Sequence, residues 1–150
     1  MKKYELVKDI EVIYVPAQSF PEGILAAFEK LETKLVSTGD RTFFGLSSPN
    51  KNGNIMYKAA TDEKYSGEGK KYELDNFTIR KGTYLSELIK DYKKDVQQIG
   101  VGFQQLPDHP ELDTNSYCLE WYKGDDVLCL VKLDPLKEEH MKQKPLKTDR

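Results

Sequence analysis

One carboxylate stands where chemistry would need it. In Tyr117-Cys118-Leu119-Glu120-Trp121-Tyr122, an acidic residue sits in the middle of a run that otherwise reads as a buried β-strand. The next apolar run, Val127 to Leu133, follows across Lys123-Gly124-Asp125-Asp126, whose Gly-Asp centre suits a tight hairpin with glycine at its first central position. A two-residue or a four-residue loop gives the same register: Tyr122 faces Val127, Glu120 faces Cys129 and Cys118 faces Val131. Glu120 is then ringed by sulfur, methyl and phenol groups. An ionised carboxylate there costs several kcal/mol unless a partner, a hydrogen bond, a water-filled cleft or a raised pKa relieves it. Such a group is a candidate functional residue. A purely structural account has it bonding a neighbouring tyrosine or a backbone amide and fixing the sheet.

Other reactive patterns are weak. There is no Gly-x-Ser-x-Gly elbow and no Ser-His-Asp or Cys-His arrangement, and His109 lies between Asp108 and Pro110 in an expected surface turn. Ser66-Gly67-Glu68-Gly69-Lys70-Lys71 lacks the spacing of a phosphate-binding loop and carries an acid that would repel phosphate. It reads as a mobile loop, with Asp62, Glu63, Glu68 and Glu73 as a solvated surface or a lid. Cys118 and Cys129 would lie diagonally on adjacent strands, roughly 7 to 8 Å apart, too far for easy bridging. Two reduced, core-filling thiols are expected. Two cysteines and the histidines 109 and 140 form no recognisable metal set, so neither metal nor cofactor is expected.

Charge narrows the partners. With 23 basic and 25 acidic residues the net charge is -2, so no basic footprint for nucleic acid is visible. The amino terminus lacks an apolar leader core, and no run approaches the ~20 apolar residues that span a bilayer. A cytoplasmic protein, monomer or homodimer, is the expectation. At 150 residues one well-buried domain is expected over 1–136, with 137–150 as a charged tail that is a frayed helix or disordered.

The elements that would position Glu120 come next. Ile10 to Ala17 alternates as a strand, and Ser19-Phe20-Pro21-Glu22 has capping-box spacing. Ile24, Ala27, Phe28, Leu31 and Leu35 form one helical stripe, predicting a helix over 21–37 that stops at Gly39-Asp40. Thr42 to Ser48 and Ile55 to Ala60 read as strands around a turn-rich loop. Tyr72 to Tyr84 reads as a strand region broken at Lys81-Gly82. Leu85, Leu88, Tyr92, Val96, Ile99, Phe103 and Leu106 then keep helical spacing up to Pro107, with Gly100 and Gly102 marking a kink or close packing. The Glu120 hairpin follows. The fold class is therefore α+β: β-α-β-β twice, over about 8–62 and 72–134, as an antiparallel sheet with two helices on one face. The opposite face or the seam between the units is left as a cleft.

Several segments together resemble the GyrI-like family, the small-molecule effector-binding domain of bacterial transcription activators, as a stand-alone member. They are Ala27-Phe28-Glu29-Lys30-Leu31, Phe44-Gly45-Leu46 with Pro49, Tyr57-Lys58-Ala59-Ala60, Phe77-Thr78-Ile79-Arg80-Lys81-Gly82-Thr83-Tyr84, His109-Pro110 and Cys118-Leu119-Glu120-Trp121-Tyr122. The resemblance covers about residues 8 to 134 and rests on order and spacing. It implies a duplicated fold with a ligand cleft between the repeats, where aromatic walls and an acidic residue receive bulky, often cationic, lipophilic molecules. Glu120 matches that acidic residue. The chain shows no helix-turn-helix before residue 8, so direct DNA reading is not expected of it.

An apolar cleft takes the body of a ligand while a desolvated carboxylate selects positive charge. Tyr14, Phe44, Tyr57, Tyr84, Trp121 and Tyr122 are the candidate walls, each cation-π contact contributing about 0.5 to 2 kcal/mol. On a regular strand Trp121 points away from Glu120 and Tyr122, so these three line one cleft only if the strand twists or bulges. Binding of a small lipophilic or cationic molecule, as an effector-binding or drug-sequestering domain, is preferred. One alternative is a hydrolase of reactive lipophilic natural products, as some similar GyrI-like members are, with Glu120 as acid or base. The other is a module that meets a protein partner.

Overall fold

The computed structural model describes residues 2–36, 39–50, 52, 54–92 and 117–133. The alternating segments form strands β1 (Lys2–Leu6), β2 (Ile10–Pro16), β3 (Phe43–Pro49), β4 (Ile55–Asp62), β5 (Asp75–Ile79), β6 (Gly82–Ile89), β7 (Cys118–Lys123) and β8 (Asp126–Lys132). Helix α1 (Ile24–Lys34) and the one-turn α2 (Glu68–Lys71) complete an α+β arrangement. All eight strands join one sheet in the order β1-β6-β8-β7-β3-β4-β2-β5, and every pairing is antiparallel.

The sheet curls. Phe77 on the outermost strand β5 meets Tyr117 beside β7 with ring centroids 5.3 Å apart, and Tyr4 on the opposite edge strand β1 meets Trp121 at 6.2 Å. Both edges thus lean over one face of the central strands. That inner face is filled by Val12, Phe44, Leu46, Tyr84, Leu119 and Leu130, all buried. The outer face carries α1, whose Ala27 and Leu31 pack on Ile13, Val15, Tyr57 and Ala59. Two such apolar layers are what a sheet with alternating side chains must bury to be stable.

The hairpin register is the one the sequence implied. Tyr122 pairs with Val127, Glu120 with Cys129 and Cys118 with Val131. Lys123 pairs with Asp126, so the loop is the two-residue one, and Gly124 takes the positive φ (65°) that glycine adopts without strain. Both cysteines are free thiols.

Three expectations change. Leu85 and Leu88 belong to β6, not to a helix: the strand is paired on both sides, by β1 and by β8, and that pairing overrides a helix-like spacing. The rest of the expected second helix beyond Tyr92, with His109, lies outside the described residues, as does the tail 137–150. The Ser19–Glu22 capping box is not used; the backbone N–H of Gly23 donates to the Ser19 carbonyl after a cis Phe20-Pro21 bond, and α1 begins at Ile24 with no side-chain cap. Glu68 is no solvated surface residue. It is buried at 1 % exposure, accepts two hydrogen bonds from the Arg41 guanidinium and one from the Lys64 backbone N–H, and has its pKa lowered chiefly by Arg41.

Breaking a buried ion pair from one side leaves an uncompensated charge. Arg41→Met should therefore lower stability by about 3 kcal/mol or more in urea unfolding, and adding Glu68→Leu should restore most of it. A single-variant loss under about 1 kcal/mol would show that water reaches the pair.

Candidate functional site

Glu120 lies on β7 with its side chain on the outer face, since Tyr122 two residues on shares that face and Trp121 between them packs inward on Phe44 (5.4 Å). The tyrosine hydroxyl of Tyr57 donates to Glu120 Oε1 at 2.7 Å, and that of Tyr122 donates to the same oxygen at 2.6 Å. Among the described residues nothing donates to Oε2, and the ion pairs present are Arg41–Glu68 and Lys64–Asp62, so no cation neutralises Glu120.

The geometry depends on a glycine. Gly45 of β3 pairs with Glu120 on one side and with Ala59 of β4 on the other. Tyr57, two residues before Ala59, reaches across Gly45 to the carboxylate; a Cβ at Gly45 would collide with both the Tyr57 hydroxyl and Glu120 Oε1. Glycine inside a strand is where another group can approach the backbone closely.

Around this centre the rings gather. Phe20 stacks on Tyr57 at 5.9 Å, Phe28 of α1 stands edge-on to both Tyr57 (6.3 Å) and Tyr122 (6.0 Å), and Tyr92 leans on Tyr122 at 5.3 Å. Phe20 is 41 % exposed while Tyr57 is 2 % exposed, so the cluster runs from solvent inward. Burial raises the pKa of Glu120, and the two phenol hydrogen bonds hold it down only in part. Burial first, and the Glu120 charge second, push Tyr57 and Tyr122 well above the ordinary tyrosine range and raise the Cys129 thiol to about 12. Phenols so placed are permanent donors, not acids at neutral pH.

Of the seven candidate residues, three are brought together here: Glu120, Tyr57 and Tyr122. Trp121, Phe44, Tyr84 and Tyr14 all lie on the inner face, packed in or against its core. Phe20, Phe28, Tyr92 and Gly45 join the site without having been singled out for it. Phe28 stood on the helix stripe and read as core, and the glycine within the β3 pattern was the available signal for a close approach. Among the described residues no cluster of three His, Cys, Asp or Glu could hold a metal, and no helix is long and apolar enough to cross a membrane.

No family model and no curated protein matches this sequence. Solved structures do match. SAV2435 bound to tetraphenylphosphonium superposes with a TM-score of 0.61 at 14 % identity, over 94 % of this chain and 99 % of that one. The fold is GyrI-like. A like fold is shared with a candidate bacterial transcription regulation protein from Staphylococcus aureus MU50 (TM-score 0.51, 12 % identity, 87 % of this chain and 97 % of that one). It is shared too with a hydrolase from Listeria innocua (TM-score 0.53, 9 % identity, 89 % and 90 %). At these identities the likeness is one of fold.

Two predictions follow from the carboxylate. Gly45→Ala forces Tyr57 and Glu120 apart and should cost about 1 to 3 kcal/mol by denaturant unfolding, an overpacking effect; a neutral result would mean the contact is loose. The folded state holds the Glu120 proton more tightly than the unfolded chain, so it binds more protons between the ordinary value of 4.5 and the raised one. Stability from this group is therefore lost as pH rises through that window. Glu120→Gln should match the parent near pH 4 and exceed it in Tm at pH 8, and an equal difference at both pH values would contradict the raised pKa.

Proposed function

We propose that this protein binds small lipophilic cations, with Glu120 as the group that selects positive charge. The observation that carries the reading is the unbonded Oε2. Two phenols saturate Oε1, while the second oxygen of a half-buried carboxylate has no donor and no cation among the described residues. A lipophilic cation relieves that desolvated charge, and the faces of Phe20, Phe28, Tyr57 and Tyr122 supply apolar and cation-π surface, each contact contributing about 0.5 to 2 kcal/mol. A metal ion fits less well, because the lining is aromatic and offers one carboxylate.

The reading includes a cleft at the seam of two related units, about 8–62 and 72–134. Strand order supports it: β6-β8-β7 on one side of the sheet mirrors β3-β4-β2 on the other, with Glu120 of β7 beside Gly45 of β3 where the halves meet. SAV2435, of like fold, is known with tetraphenylphosphonium bound, which supports the same ligand class here. The reading makes the protein an effector-binding or drug-sequestering domain, and the likeness to a transcription regulation protein is in keeping with the former.

Hydrolysis is the second reading, and it rests on the same free oxygen. In this reading Oε2 takes a proton from water attacking a reactive electrophile, while Tyr57 and Tyr122 hold the carboxyl through Oε1. A hydrolase of like fold supports it.

Calorimetric titration with tetraphenylphosphonium separates these. Binding with micromolar Kd that weakens tenfold or more in Glu120→Gln, about 1.4 kcal/mol, is the expected result. Equal binding by parent and variant would remove the carboxylate from the site. Turnover of a strained electrophile that Glu120→Gln abolishes would move the assignment to hydrolysis.

A further inference from the structure

We propose a second ligand site, of opposite charge preference, on the inner face of the sheet: a groove that takes a small organic anion with an aromatic or apolar body. A concavity of about 430 Å³ opens there, with Leu46, Phe77 and Tyr117 as its apolar lining and Lys58, Arg80, Ser48 and Thr78 as its polar residues. Among the described residues no acidic side chain lines it. It is separated from Glu120 by the sheet itself, because Lys58 pairs with Leu46 on the inward-facing rows while its neighbour Tyr57 turns outward to Glu120.

Both cations are held by rings instead of carboxylates. Lys58 Nζ lies 5.2 Å from the Tyr14 ring centre and 5.3 Å from that of Phe77. The Arg80 guanidinium lies 5.9 Å from the Tyr117 ring centre. Neither forms an ion pair among the described residues; of the acids on the flanking segments, Glu11 accepts from the Thr78 hydroxyl and Asp9 from the Lys81 backbone N–H, while Asp75 pairs with Tyr14 at the edge of the sheet. A ring holds a cation in place without cancelling its charge, so the positive potential of the groove stays available to a ligand.

The turn that presents Arg80 is also built rigidly. Its backbone N–H donates to the Tyr117 hydroxyl at 2.9 Å, its carbonyl accepts from the Tyr84 hydroxyl at 2.5 Å, and the two hydroxyls bond each other at 2.8 Å. Tyr84 is fully buried and Tyr117 nearly so, which fixes this chain of bonds within the core. Two fixed cations with apolar surface between them match a carboxylate, sulfonate or borate on a lipophilic body. A bare inorganic anion would leave the rings unused.

The test is titration with tetraphenylborate, run separately from its cationic twin tetraphenylphosphonium, which has the same shape and opposite charge. Saturable binding of one tetraphenylborate is expected, with backbone amide shifts in the NMR spectrum centred on Phe77 and Arg80. The double variant Lys58→Gln/Arg80→Gln should weaken it tenfold or more while leaving tetraphenylphosphonium affinity unchanged. Arg80→Gln alone, at an exposed position, should give a smaller loss in the same direction and covers the case in which the double variant misfolds. Tetraphenylborate binding that neither variant weakens, non-saturable uptake, or shifts centred on Glu120 and Tyr122 would overturn the proposal.

Discussion

A single carboxylate oxygen shared by two phenols organises the outer face of this sheet. For Tyr57 and Tyr122 to reach Glu120 Oε1 together, β4, β3 and β7 must lie side by side in one register, and the strand between must carry no side chain at Gly45. Helix α1 must then cross where Phe28 can touch both phenol rings. A one-residue slip would turn Glu120 to the inner core and Trp121 outward, burying a charge among apolar groups. The arrangement is thus specified twice, by the hydrophobic pattern and by the cost of misplacing the acid.

The price of that specificity is a carboxylate left short of partners. Two neutral hydrogen bonds do not offset the loss of water, which is why its proton affinity stays raised. The buried Arg41–Glu68 pair on the same protein makes the contrast: there a guanidinium supplies both charge and donors, and the acid is held below its ordinary range. A structural acid is given its cation; Glu120 is not. Strand alternation meanwhile puts Tyr14, Phe44, Tyr84 and Trp121 on the inner face, where they build the core, with Tyr14 under Lys58 and the Tyr84 hydroxyl on the Arg80 carbonyl.

Much of this was legible in the sequence because the signals were local. The hairpin register around Gly124-Asp125, the stripe of α1 and the pairing of Glu120 with Cys129 each follow from periodicity and turn chemistry within a few residues. Alternation along β7 already set Trp121 opposite Glu120 and Tyr122, but where Tyr14, Phe44, Tyr57 and Tyr84 fall relative to Glu120 depends on strand order, which no local pattern encodes. Leu85 and Leu88 misled for the same reason: their spacing fits a helix, yet β8 pairs with both and β1 with Leu85 as well. Glu68 looked solvated because its partner Arg41 is 27 residues away in the chain.

The role of Glu120 is read most directly from its own ionisation, followed by the carboxyl carbon-13 resonance through a pH titration, with and without tetraphenylphosphonium. A midpoint above 4.5 is expected in the free protein, moved downward when the cation is bound because the ligand favours the ionised form. A midpoint at the ordinary glutamate value that does not respond to the cation would contradict that role.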